Sequence, residues 1–196
     1  MTTPLIVWTL AASIYAAFLL WYLPLWRRVS PDEIRRVVAA ALAEGLAPER
    51  VRELQRFLEE DRGDSFVMVN LLKLQEPMAE ARRAMAVYER RFIGRLLRLA
   101  GFPLFAGRAA MSLNIEQWGI EADGWDAAAL VRYRCRRDLA RMVLESLQGD
   151  TRDFKHAALA RTFAFPVSPI LGSAAPCAVV GLVLALAAAL TQIFAS

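Results

Sequence analysis

The 24 basic and 20 acidic side chains of this 196-residue chain all lie between Arg27 and Arg161. Neither flank carries a charge. Few folds tolerate such a partition, because an uncharged, strongly apolar segment has to be buried in a core or placed in lipid. Crossing a bilayer core of about 30 Å takes roughly 20 apolar residues in a helix. Pro4–Trp26 supplies that length, with Trp8 near one end and Trp21, Tyr22 and Trp26 near the other, where amphipathic rings favour the headgroup layer. A cleaved leader would open on basic residues and end in a small-residue cleavage site. Met-Thr-Thr-Pro followed by an aromatic finish and Arg27-Arg28 predicts a retained anchor instead.

Ile170–Phe194 is a second uncharged apolar run, longer than a core helix usually needs. Its small residues Ser173, Cys177, Gly181, Ala185 and Ala189 recur every four positions, and Thr9, Ser13 and Ala17 repeat the pattern in the first span. In lipid such stripes let helix backbones approach closely, so both are candidate packing faces. Arg27, Arg28, Arg35 and Arg36 follow the first span, while Arg152, Lys155 and Arg161 precede the second. By the positive-inside rule this predicts a bacterial inner-membrane protein with both termini outside and the middle in the cytoplasm. The four arginines after the first span are the expected contacts to anionic headgroups or partner carboxylates. Cys135 and Cys177 are then expected to be unpaired thiols in a reducing compartment.

The middle is large enough for one core. Ser30-Pro31-x-Glu33 is a helix-start signature, and the apolar spacing predicts two amphipathic helices over 30–61, forming a neck, lying on the bilayer or packing on the domain. Beyond Asp64 the period shortens. Phe66–Leu74 reads as a strand, Met78–Leu99 as a helix, Leu104–Ile115 and Trp125–Tyr133 as strands, Arg136–Leu147 as a helix and Arg161–Val167 as a last strand. Strand, helix, strand, strand, helix, strand is the split βαβ order, so the fold class expected over 64–167 is α+β, ferredoxin-like, flanked by transmembrane helices at 4–26 and 170–194.

The run Val-Met-Val-Asn-Leu-Leu-Lys-Leu at 67–74, Tyr88, Trp125-Asp126, Leu130-Val131-Arg132-Tyr133-Arg134 and Lys155-His156-Ala157-Ala158-Leu159 together resemble a bacterial family of small dimeric α/β-barrel proteins, distantly similar to antibiotic-biosynthesis-type monooxygenases. The resemblance covers about 64–167. It implies a dimer in which two sheets pack face to face into a barrel, with the elements carrying Asn70, Tyr88, Trp125 and Tyr133 expected to face the barrel interior. It implies no particular reaction, since relatives in the wider superfamily include cofactor-free monooxygenases, isomerases and haem-binding enzymes. The chain departs from the family at Arg134 and Cys135, where a proline and a small residue are usual.

Asn70, Tyr88, Trp125 and Tyr133 combine apolar bodies with single polar handles, as small-ligand pockets do, and form the candidate pocket. Core packing with capped hydroxyls is the competing explanation. His156, the one histidine, is the only candidate haem ligand. Cys135 lies among Arg134, Arg136 and Arg137, which would activate a thiol; with no base or second cysteine beside it, an ordinary thiol at a helix start is the favoured expectation. No phosphate loop, paired metal-binding cysteines or Ser–His–Asp set can be assembled, and no cofactor is expected. Acids interleave with the basic residues, so nucleic acid is not an expected partner. The favoured expectation is an accessory or assembly subunit of a membrane complex, packing through its spans against other transmembrane subunits, with a homodimer possible through the sheet face. The alternative is a tethered, cofactor-free monooxygenase- or isomerase-like enzyme acting on a lipophilic ring.

Overall fold

The computed structural model describes residues 3–23, 28–119, 124–147, 151–169 and 176–195. In chain order the elements are α1 (Thr3–Tyr22), α2 (Pro31–Ala43), α3 (Pro48–Glu59), β1 (Phe66–Leu74), α4 (Met78–Arg98), β2 (Phe102–Arg108), β3 (Ala127–Tyr133), α5 (Arg136–Leu147), α6 (Thr151–Ala158), β4 (Leu159–Val167) and α7 (Pro176–Ala195). The chain divides into two compact units, Met1–Leu25 with Pro169–Ser196, and Trp26–Ser168.

In the first unit α1 pairs with α7. Both helices are long and apolar enough to cross a membrane, and only 6% of each apolar stretch is buried within the chain. Leu10, Leu20, Leu182, Val183 and Leu186 are each at least 60% exposed; such surface is stable only against another apolar phase. Between the helices, the Tyr15 hydroxyl donates to the Cys177 carbonyl at 3.1 Å. A Cβ on Gly181 would stand 3.3 Å from the Tyr15 ring. The Trp8 indole N–H donates to Gln192 Oε1 at 2.9 Å. Cys177 and Gly181 thus serve the pairing within the chain. Ala189 is half-buried and Ala185 exposed, with Ala188 the tightly buried alanine instead. Thr9, Ser13 and Ala17 are exposed; the Thr9 and Ser13 hydroxyls donate to carbonyls one turn back. Ser173 lies outside the described residues.

In the second unit four strands form one antiparallel sheet in the order β2-β3-β1-β4. Phe66 of β1 and Val131 and Tyr133 of β3 pack with Leu96 of α4 and Leu139 and Met142 of α5 into the main core. The helices cover that face. On the other face the register aligns Phe105, Leu130, Val69 and Phe165 in one row across all four strands. Phe105, Phe163 and Phe165 there are 53%, 52% and 40% exposed.

The helix-start signature holds in detail: the Ser30 Oγ accepts from the Glu33 N–H, and Glu33 Oε2 accepts from the Ser30 N–H at 2.9 Å. The two early helices form neither a free neck nor a free surface element. Val37 of α2 and Leu58 of α3 are buried together with Ala140 of α5. Arg137 Nε donates to Glu33 Oε1 at 2.9 Å, and the Arg136 guanidinium lies 4.3 Å over the Phe57 ring.

The expected strand Leu104–Ile115 is corrected to Phe102–Arg108. The alternation of Met111, Leu113 and Ile115 suggests further strand, but β3 begins opposite Arg108 at Ala127, and the Ala109 N–H bond to the Asp126 carbonyl closes the ladder. Among the described residues the ladder ends at Ala109, and Met111, Leu113, Ile115 and Trp118 are exposed. The last strand starts at Leu159 rather than Arg161, and residues 151–158, given no helix by the sequence reading, form α6.

Candidate ligand cavity

Strand pairing places Ala106, Ala129, Asn70 and Ala164 side by side across the helix-covered face. Four small residues in a row leave the helices above without filler. Met85, Tyr88 and Phe92 come down from one stripe of α4, Leu139, Met142 and Val143 from α5, and Lys155 and His156 from α6. Between them lies a cavity of about 490 Å³, within the size range of small-molecule sites.

Three of the four expected pocket residues meet here, under the helices rather than on the open sheet face that would line a barrel interior. Asn70 donates its amide to the Met68 and Ala129 carbonyls at 3.1 and 3.4 Å, which holds the side chain against the floor and leaves Oδ1 as an acceptor. Tyr88 stacks on Phe92 with ring centroids 5.7 Å apart; burial and then the Glu89 charge push its hydroxyl up to about 12. Tyr133 is 4% exposed and lies parallel to Phe66 at 5.2 Å. Burial, with Tyr88 adding to it, raises its hydroxyl far above the ordinary tyrosine value. Both phenols are therefore neutral donors at neutral pH. Among the described residues the Tyr133 hydroxyl has no hydrogen-bond partner.

The fourth, Trp125, lies elsewhere. It lines an adjoining hollow of about 650 Å³ with Arg82, Arg108, Met111 and Asp126, and the Arg161 guanidinium stands 5.7 Å over its ring. Its neighbour Asp126 joins strands: the carboxylate accepts from Lys73 Nζ at 3.1 Å and from the Leu74 N–H at 2.7 Å. Burial opposes that charge, but the Leu74 N–H and Lys73 outweigh it and hold the carboxyl below its usual value. Lys73 and Asp126, both in the motifs quoted above, are thus a clamp between β1 and β3.

Cys135 is fully buried, and burial followed by the Asp138 charge raises its thiol to about 11. Arg134 does act to lower the thiol, but burial and Asp138 outweigh it. Arg134 pairs with Asp138 through two bonds of 2.7 and 3.0 Å, both residues being buried. Arg137 binds Glu33, and Arg136 donates to the Phe57 carbonyl. Of the expected headgroup contacts, Arg28, Arg35 and Arg36 are exposed, Arg35 pairing with Asp32; Arg27 lies outside the described residues.

No protein-family model and no curated protein matches this chain. Among solved structures, a protein of unknown function from Rhodopseudomonas palustris (RPA0582) superposes with a TM-score of 0.52 at 18% identity, over 64% of this chain and 95% of that one. Its methylated form gives the same TM-score and identity. At that identity the likeness concerns fold alone.

Lys155 is a further lining residue that no local sequence signal marks. Its side chain is exposed on α6, and desolvation by the surrounding protein lowers its ammonium below the ordinary lysine value. Beside it Arg152 pairs with Glu44 at 2.7 Å. His156, the candidate haem ligand, is exposed on the same helix, and among the described residues no three His, Cys, Asp or Glu side chains gather as a metal site would need. An apolar chamber with phenol, amide and amine groups on its walls can hold and orient a lipophilic molecule bearing one polar head.

Proposed function

We propose that this protein is membrane-tethered and that its domain binds, and acts without a cofactor on, a lipophilic small molecule, of the kind met in monooxygenase- or isomerase-like enzymes on ferredoxin-like folds. The observation that carries this reading is the 490 Å³ cavity, open where a purely structural domain would be packed with side chains. The strand order β2-β3-β1-β4 with helices on one face supports the ferredoxin-like assignment. The apolar row on the uncovered face supports a second copy as its cover. The charge asymmetry supports placing the domain on the cytoplasmic side of a bacterial inner membrane.

Binding of naphthalene-2-methanol to the full chain in lipid nanodiscs, with empty nanodiscs as blank, tests the cavity. Ala129→Leu should abolish it while the circular dichroism spectrum is retained. Unchanged binding in that variant defeats the proposal. If Tyr88→Phe and Asn70→Ala bind normally but stop turnover of an identified substrate, the domain is an enzyme; if turnover persists, the two residues are walls.

A second reading, an accessory subunit of a membrane complex, draws support from Thr9, Ser13 and Ala17, which stay exposed while Cys177 and Gly181 are engaged with α1. Mild extraction and native electrophoresis separate the two readings. A large assembly disrupted by Ala17→Leu favours the subunit, whereas a free dimer removes it.

A further inference from the structure

We infer that the ligand of this domain is an elongated lipophile, a ring carrying a long unbranched chain, laid along the sheet beneath the helices with Met85 over its midpoint. The inference rests on the cavity being a small-molecule site and goes beyond it by fixing the ligand's shape. The cavity of about 490 Å³ and the adjoining hollow of about 650 Å³ follow one another along a single face of the sheet. On β3 every second residue faces the helices: Tyr133, Val131 and Ala129 line the cavity, and Ala129 and Ala127 line the hollow. On β1, Asn70 and Leu72 line the first, and Leu72 and Leu74 the second. The order is the same on α4, with Tyr88 and Met85 over the first, and Met85 and Met78 over the second. Ala129, Leu72 and Met85 thus belong to both, one from each element, and the two spaces are successive stretches of one trough.

The trough is long and it deepens in one direction. From Tyr133 to Ala127 the strand covers about 20 Å. Over that span the β3 side chains on this face shrink from Tyr133 through Val131 to Ala129 and Ala127. A compact ring fills one stretch and leaves the other open, whereas a ring with a chain fills both and removes more apolar surface from water. The ring end is set by Tyr88 and Phe92, which stack in the first stretch at 5.7 Å and favour a further aromatic neighbour. The chain end suits the second, where Met78, Met85 and Met111 line the walls; methionine is flexible and shapes itself to irregular apolar surfaces. The charged residues of the hollow call for no counter-charge from the ligand. Arg82, Glu89 and Arg108 are exposed to solvent, and the Asp126 carboxylate is held by Lys73 and the Leu74 N–H.

Equilibrium dialysis of the full chain in nanodiscs, referred to the free ligand and with empty nanodiscs as blank, compares 4-butylphenol with 4-dodecylphenol. The wild type should bind the dodecyl compound at least about a hundredfold tighter, since each buried methylene is worth about fourfold. Ala127 lines the hollow and not the cavity. Ala127→Phe should therefore weaken 4-dodecylphenol by about sixtyfold, the loss of roughly three buried methylenes, and leave 4-butylphenol within about twofold. Ala86, which lines the hollow alone from α4, gives the second variant: Ala86→Phe should act likewise and stands in if circular dichroism shows the strand variant unfolded. A dodecyl compound bound no tighter than the butyl one by the wild type overturns the elongated ligand and leaves the cavity reading standing. So does a folded variant that leaves both affinities unchanged or weakens both alike. If neither compound binds the wild type, both readings fall.

Discussion

Ala129→Leu puts the cavity to a test of sign rather than size. Ala129 is a half-buried residue of the central strand β3, facing the helices at the middle of the floor. In an ordinary packed core a leucine there would have to displace its neighbours, at a cost of about 1–3 kcal/mol. Over an empty chamber of about 490 Å³ it meets space instead. Three added carbons at about 0.8 kcal/mol each give about 2.4 kcal/mol, from which fixing the leucine rotamer removes about 0.5–1 kcal/mol. The net is a stabilisation of about 1.5–2 kcal/mol, or roughly 3–8 °C in midpoint for a domain of this size. Scanning calorimetry of the full chain in nanodiscs, without added ligand, reads it directly. A midpoint that falls by several degrees refutes the reasoning, because it means the floor is already packed. Together with lost binding of naphthalene-2-methanol, a raised midpoint would separate stability from function at a single residue.

Asp138→Ala leaves Arg134 buried without its bidentate partner and should cost about 3–5 kcal/mol in chemical denaturation; a change below about 1 kcal/mol would mean water replaces the carboxylate. Burial raises the Glu33 carboxyl, but the Ser30 N–H and Arg137 outweigh it and hold the value below 4.5. A depressed carboxyl contributes stability above its unfolded value, and that contribution is lost as pH falls through the folded one. Glu33→Gln should therefore lower stability at pH 7 and flatten its decline between about pH 5 and 3; an unaltered acid limb would remove Glu33 from that role. Cys135, buried with its thiol raised to about 11, should resist a water-soluble maleimide at pH 7.5 in the folded protein and react within minutes once denaturant is added. Fast labelling of the native state would overturn its assignment as inert.

Much of the fold was legible because the signals were local. The capping box at Ser30–Glu33, the uncharged ends and the change from helical to alternating period each sit within a few residues of the element they specify. The end of β2 was not local. Leu104–Ile115 alternates throughout, and what stops the strand at Arg108 is the position of Ala127 on another strand. The cavity was half legible for the same reason. Asn70, Tyr88 and Tyr133 could be picked by side-chain type, but the void depends on Ala106, Ala129 and Ala164 falling opposite one another, and lateral register is not written along the chain. Lys155 escaped notice because residues 151–158 were given no helix, and Trp125 was misplaced because the clamp at Asp126 holds it at the far end of the sheet.

At mid-sheet the small residues Ala106, Ala129 and Ala164 face the helices, while Phe105, Phe163 and Phe165 face outward. If a second copy covers that outer face, as proposed, the melting point should vary with protein concentration. The proposed membrane tether would bear on this directly. Copies held in one plane meet at far higher effective concentration than the same number free in a cell volume. A contact too weak to persist in dilute solution can then be occupied most of the time. The uncharged ends, in that case, act on the domain as crowding does on a surface: they let a marginal association suffice.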